Sequence, residues 1–270
     1  MLKVSRLKKT VRKPAQEGAG NIAVLHKAFD LLEFLQDSET PKSLDEVVSA
    51  TKFPRSTAHR LLGDLLSRGY VEKDPAGRYS LGLKLLVLGA TVRHRQTLRD
   101  ISQPFMVGLR NEFEETVNLG RLQGDCVLYL ETVESYHAIR VTGSLGILDP
   151  VHATSIGKAI LAWLPAARRP VLSSWKRLTP HTICDADEFA AELERVKRRG
   201  YALDDEESME GGRCVGVPVF HSGIPIAGLS ISGPITRITR ESVVSMAEAL
   251  KKASAQISEQ IRFFPERLRR

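Results

Sequence analysis

Arg55, Ser56, Thr57, His59 and Arg60 stand close together immediately behind Pro54. Guanidinium forks, two hydroxyls and an imidazole in so short a span suit base edges and phosphate oxygens, so the chemistry on offer is recognition of duplex DNA. Ala58, Leu61, Leu62, Leu65 and Leu66 run between them at the i, i+3, i+4, i+7, i+8 spacing. That spacing predicts a helix over 54–67 whose leucines face a core and whose other side presents Ser56, His59, Arg60 and Gly63. Pro54 is expected as its first residue, where a missing N–H costs nothing. Gly63 costs such a helix about 1 kcal/mol relative to alanine, which leads us to expect another backbone close by.

Neighbouring elements must hold this helix in place. Ser43-Leu44-Asp45-Glu46 is a capping box, with Leu44, Val47 and Val48 as the apolar face of the short helix it starts. Asp74-Pro75-Ala76-Gly77 has type I turn chemistry between Tyr70–Lys73 and Arg78–Leu81, a candidate wing. A third helix is expected from Asn21 to Gln36, with Ile22, Leu25, Phe29, Leu32 and Leu35 on one side. The expected unit is a winged helix-turn-helix over 20–83. Its DNA-binding candidates are Ser43, Arg55, Ser56, Thr57, His59 and Arg60, with Arg78 in the wing holding phosphate.

Charge is distributed to match. Residues 1–95 carry 17 basic and 10 acidic side chains, whereas 96–270 carry 22 of each, so the whole net charge of +7 lies in the first third. A basic third joined to a neutral remainder is what a phosphate-binding module attached to something else looks like. Residues 1–19, with Lys3, Arg6, Lys8, Lys9, Arg12 and Lys13 against Glu17, are expected to be a disordered basic arm, either touching DNA or merely solubilising.

At 270 residues there is room for two domains with separate cores. Neither a long apolar run nor a signal-peptide pattern occurs, so no membrane partner and a cytoplasmic location are expected. Cys126, Cys184 and Cys214 are an odd count at wide spacing, which fits reduced, mostly buried thiols better than disulfides or a zinc site. No cofactor, no metal and no catalytic residue is expected.

Beyond the wing, Leu83 to Gln96 is apolar around most of a helical surface, so a linker helix over 84–98 is expected to pack on a second subunit. Further helices are expected from Asp100 to Glu115, interrupted early by Pro104, and over 155–163, 186–199 and 240–263. Short strands are expected over 116–121, 126–133 and 138–141, followed by a hairpin of 215–220 and 224–232 around His221-Ser222-Gly223. The mixture is an α+β sensor-like domain over 99–268.

These residues resemble the IclR family of bacterial transcriptional regulators along nearly the whole chain. The resemblance rests first on Phe53-Pro54-Arg55-Ser56-Thr57-Ala58-His59-Arg60-Leu61-Leu62, Gly69-Tyr70-Val71 and Tyr79-Ser80-Leu81-Gly82. It continues through His152–Ala159, Gly200–Glu207, Gly212-Arg213-Cys214-Val215 and Ser230-Ile231-Ser232-Gly233-Pro234. It implies a winged helix-turn-helix, a linker helix and a GAF-like effector-binding domain. It also implies a homodimer or a dimer of dimers (homotetramer) on partly palindromic double-stranded operator DNA, with repression the commoner mode among similar proteins.

Thr154 and Ser155 sit where a helix should start, so the first amides of the Ile156-Gly157-Lys158 turn are expected to point outward as an anion site, naturally taken by a carboxylate. The resemblance adds Asp204, Cys214, Ser230 and Ser232 as lining residues, giving a small organic-acid effector site with Ser155, Ile156 and Gly157. Ile156 stands where members thought to take the smallest keto acids carry a smaller residue. Two other functions compete: a hydrolase with Cys214 as nucleophile, His152 as base and Asp204 as orienting acid, and a ligand-binding signalling module without DNA binding.

Overall fold

The structure, a computed structural model, describes residues 23–38, 40–93, 97–141, 146, 148–172 and 174–262. The expected basic arm and the Asn21 cap lie outside the described residues. The chain falls into two compact units, dividing between Arg95 and Gln96.

The first unit contains α1 (Ala23–Gln36), α2 (Leu44–Thr51), α3 (Arg55–Ser67), a hairpin of β1 (Val71–Lys73) and β2 (Tyr79–Leu81), and α4 (Lys84–Arg93). The Ser43 hydroxyl accepts from the Glu46 N–H while the Ser43 N–H donates to Glu46 Oε2 at 2.8 Å, so both halves of the capping box are formed. Pro54 is the residue before the helix rather than its first member, and α3 begins at Arg55. In the wing the Gly77 N–H donates to the Asp74 carbonyl at 2.9 Å, closing the turn. Lys42 exchanges two backbone hydrogen bonds with Tyr79, tying the entry of α2 to the wing. Leu31, Leu35, Val47, Ala58, Leu61, Leu62, Val71 and Tyr79 form the core, to which each helix but α4 contributes one apolar stripe. Leu66, expected in that stripe, is 37% exposed, because the core ends a turn earlier.

The second unit contains α5 (Thr97–Phe113), β3 (Thr116–Gln123), β4 (Cys126–Val133), β5 (Leu148–Pro150), α6 (Ser155–Trp163), α7 (Ala186–Arg199), β6 (Ala202–Asp205), β7 (Gly212–His221), β8 (Ile224–Pro234) and α8 (Ser242–Ile261). Its six strands form one antiparallel sheet in the order β5-β4-β3-β8-β7-β6. Side chains alternate across a strand. Val215, Val217 and Val219 of β7, Leu229 and Ile231 of β8, and Val117 and Leu119 of β3 share a core with Met106 of α5 and Leu250 of α8. The alternate positions, among them Cys214, Gly216, Ser230 and Ser232, belong to the other face, on which α6 lies. There Ile156, Ile160 and Leu161 pack with Phe189, Leu193 and Val196 of α7.

Three expectations change. Residues 138–141 form no strand, because Arg140 reaches back to Glu134 and the Ser135 hydroxyl receives the His137 N–H, folding the segment on itself. β5 and β6 were not foreseen. Pro104 lies inside α5, which starts at Thr97, rather than interrupting it.

Candidate nucleic-acid interface and effector site

α3 divides as its spacing requires. Ala58, Leu61 and Leu62 are buried, Arg55, Ser56, His59 and Arg60 are exposed, and Thr57 is half-buried. One Arg55 Nη pairs with Asp45 on α2, an exposed pair that contributes little to stability and leaves the other guanidinium donors for a ligand. Arg78 is exposed in the wing, with its Nε on Asp74 at 2.9 Å. The Arg78 amide holds the Asp74 carboxyl below the usual range. The Ser43 hydroxyl is committed to its helix cap. Gly63 lies on the exposed side, and a Cβ built there meets nothing within 4 Å, so the expected close backbone is absent from the described residues.

The second constellation lies on the α6 face of the sheet. Asp204 on β6 pairs with Cys214 on β7, which pairs with Ser232 on β8; one step along, Gly216 pairs with Ser230, and Ser230 with Asn118 on β3. The row is joined by side chains. Thr132 donates to Asn118 Oδ1 at 3.1 Å, Asn118 Nδ2 donates to the Ser232 hydroxyl at 3.1 Å, and the Cys214 thiol interacts with both Ser232 and Asp204. Asp204 accepts from the Glu207 and Ser208 amides at 2.9 and 3.1 Å.

The start of α6 is pressed onto this row. A Cβ at Gly216 would stand 2.8 Å from the Ser155 carbonyl carbon, and one at Gly228 would stand 2.9 Å from Ile156 Cγ2. Glycine at these two positions is what lets the helix start approach the sheet. The expected anion site is smaller than supposed. The Thr154 hydroxyl takes the Gly157 N–H at 3.1 Å and the Thr154 carbonyl takes the Lys158 N–H, so the cap leaves only the Ser155 and Ile156 amides.

Lys158, unassigned in the sequence reading, is fully buried, and its ammonium pairs with Glu207. Burial raises the Glu207 carboxyl to about 7 against the pull of Lys158, and raises Asp204 against the same pull. Burial, followed by the charge of Asp204, pushes the Cys214 thiol well up. His152 donates from Nε2 to the Lys176 carbonyl at 3.0 Å, and burial lowers its pKa. A buried, neutral thiol beside a carboxyl is a poor nucleophile and a good lining group.

The expected effector residues are thus brought together, while Lys158, Glu207, Ser208, Asn118 and Thr132 join them unforeseen. A lone lysine in the otherwise apolar stretch Ser155–Trp163 was the available signal for a buried ion pair. Among the described residues none of the three cysteines is in a disulfide, only Cys214 is buried, and no group of three or more His, Cys, Asp or Glu side chains is placed to hold a metal ion.

A winged unit with an outward basic face, accompanied by a sheet domain carrying an interior polar row, defines a DNA-binding regulator with a ligand-sensing half. Comparison with known proteins gives that class a family. The IclR helix-turn-helix domain matches residues 24–75, and the bacterial transcriptional regulator IclR C-terminal domain matches 90–259. The chain is 34% identical over 246 residues to the HTH-type transcriptional regulator KdgR of Dickeya chrysanthemi, covering 89% of this chain and 80% of that one. It is 32% identical over 257 residues to the transcriptional repressor IclR of Escherichia coli, covering 92% and 94%. An IclR homologue from Microbacterium hydrocarbonoxydans, solved in complex with 4-hydroxybenzoate, matches with a TM-score of 0.75 at 26% identity, covering 88% and 99%. The chain belongs to the IclR family, and it is a DNA-binding transcriptional regulator with an effector-binding C-terminal domain.

Proposed function

We propose that the chain grips a partly palindromic operator as a homodimer or a dimer of dimers, with α3 in the major groove and Arg78 of the wing on phosphate. Arg55 and Arg60 meet guanine edges or phosphates, and Ser56, Thr57 and His59 complete the reading. The observation that carries this reading is the polar side of α3, exposed over a buried leucine anchor. Repression is the mode we assign, since the similar E. coli protein is a repressor.

A working division of labour follows: a DNA-binding part over 20–83, a linker over 84–98 and an effector part over 99–268. Val24, Leu25 and Phe29 on α1, Leu83 before α4, and Leu86, Val87 and Leu88 on α4 are exposed, which supports a second copy as their cover. A small organic acid held by Ser155, Ile156, Gly157, Asp204, Cys214, Ser230 and Ser232 favours one spacing of the two reading helices, and a dimer engages two half-sites only at a matching separation. No catalytic role is assigned, because the Cys214 thiol is neutral and His152 is committed to a backbone carbonyl. A cytoplasmic site of action suits DNA binding, and among the described residues no helix is long and apolar enough to cross a membrane.

Retention of the full chain on a duplex-DNA column, eluted with salt, tests the reading. Elution that shifts steeply with salt is expected, because neutralised phosphates release counterions. Passage without retention at low salt would rule the function out.

A further inference from the structure

Glu207 Oε2 is among the buried side-chain atoms of the second unit that lack the partner buried groups normally find. Glu207 is 7% exposed, and its Oε2 has no hydrogen bond. Ser155 and Ser230 are each 2% exposed, and the hydrogen bonds that join the polar row run through Thr132, Asn118 and Ser232 rather than through their hydroxyls.

The three belong together. The Ser155 backbone rests on Gly216, and Ser230 is the residue paired with Gly216 on the next strand. Lys158 lies one turn along α6 from Ser155, on the same face, and its ammonium holds the other Glu207 oxygen. Ser155 and Ser230 therefore meet at Gly216, and the lysine one turn on from Ser155 reaches the carboxyl whose second oxygen is unpartnered.

Building on the effector-site reading above, we propose that this chain takes a hydroxy acid, its carboxylate met by the Ser155 and Ser230 hydroxyls and its own hydroxyl donating to Glu207 Oε2. Serine hydroxyls donate to a carboxylate, whereas the Glu207 side chain, ionised above about pH 7, only accepts. A bare carboxylic acid offers Glu207 no donor. A ligand hydroxyl supplies the missing donor, and a site built around such a hydroxyl discriminates strongly against the analogue without it. Glu207 is thereby the specificity-determining residue.

The test uses the full chain and pairs of acids that differ in hydroxylation: glycolate with acetate, glycerate with propionate, gluconate with hexanoate, and 4-hydroxybenzoate with benzoate. Thermal shift and titration calorimetry at millimolar ligand and pH 8, where Glu207 is ionised, are expected to show at least one hydroxylated member binding roughly tenfold or more tighter than its partner. In the Lys158→Met/Glu207→Leu double variant, which leaves no buried charge uncompensated at that pair, the preference should disappear. Equal binding within every pair overturns the proposal, as does a preference that survives in the double variant or the absence of binding by all the hydroxy acids. DNA retention is read on the same preparations before any ligand is added. Intact retention with equal binding removes the hydroxyl inference alone, whereas lost retention strikes the regulator reading itself.

Discussion

Lys158 and Glu207, 49 positions apart in sequence, hold one another in the interior of the second unit, with none of the lysine side chain exposed. A buried ammonium persists only where a carboxylate offsets its desolvation. Replacing Lys158 with methionine leaves Glu207 and Asp204 buried without their cation. Urea unfolding is expected to show a loss of about 3–5 kcal/mol, most of it recovered in the Lys158→Met/Glu207→Leu double variant. A single variant as stable as the native chain would show that the pair is not buried.

The same carboxyl sets a pH dependence. Glu207 is raised from an ordinary 4.5 to about 7, so between those values the folded chain holds a proton that the unfolded chain has released. Its stabilising contribution is complete below pH 4.5 and is lost as pH rises through 7, with Asp204 acting in the same direction. Stability is expected to fall by about 1–3 kcal/mol between pH 5 and pH 8 from this source. Comparing urea midpoints at the two pH values checks it, and Glu207→Gln should flatten the difference. An equal slope in that variant would assign the dependence elsewhere.

Gly216 is where α6 meets the sheet. A methyl group there would stand 2.8 Å from the Ser155 carbonyl carbon and 2.9 Å from its oxygen, and both are backbone atoms that cannot swing aside. Gly216→Ala is therefore expected to cost about 1–3 kcal/mol, read as a lowered melting temperature. Native stability in this variant would mean that the helix start stands farther from β7 than described.

How much of this was legible in the sequence depends on how local each cause is. Capping at Ser43, the turn at Asp74-Pro75-Ala76-Gly77 and the leucine spacing of α3 act within a few residues, so the winged unit can be read directly from 43–81. Pairing of β3 with β8 is another matter: Asn118 donates to Ser232 across 114 positions, and nothing local announces it. β6 carries Asp204 and Asp205, residues of poor strand propensity, and is a strand because β7 pairs with it. Residues 138–141 look like a strand locally, yet the hydrogen bonds of Glu134 and Ser135 turn them aside. Of the proposed effector residues, Ser155, Ile156 and Gly157 follow from an expected helix start, whereas Asp204, Cys214, Ser230 and Ser232 follow from motif resemblance. Their interior partners Lys158, Glu207 and Asn118 are defined by packing.

Arg60 is exposed on α3 beside His59 and has no role in the core. Arg60→Ala is expected to leave the melting temperature unchanged and to weaken operator binding by about 1–3 kcal/mol if it reads a base. A gel shift on a site selected from a random duplex pool measures this. Unchanged affinity together with unchanged sequence preference removes Arg60 from the interface.

Gly63 gives the sharpest contrast between stability and function, because its helix loses by having it and nothing in the described chain requires it. A methyl group at that position meets open space, so Gly63→Ala is expected to raise stability by about 0.4–1 kcal/mol through the unfolded chain's lost freedom. Gly63 follows Arg60 by three positions, on the side of α3 proposed to face DNA, so the backbone proposed to approach it is that of the duplex. The variant should melt higher than the native chain yet leave a DNA column at lower salt. A variant that melts higher and elutes unchanged would place the duplex away from this half of α3, and one that melts lower would mean that the helix environment at Gly63 is tighter than the structure describes.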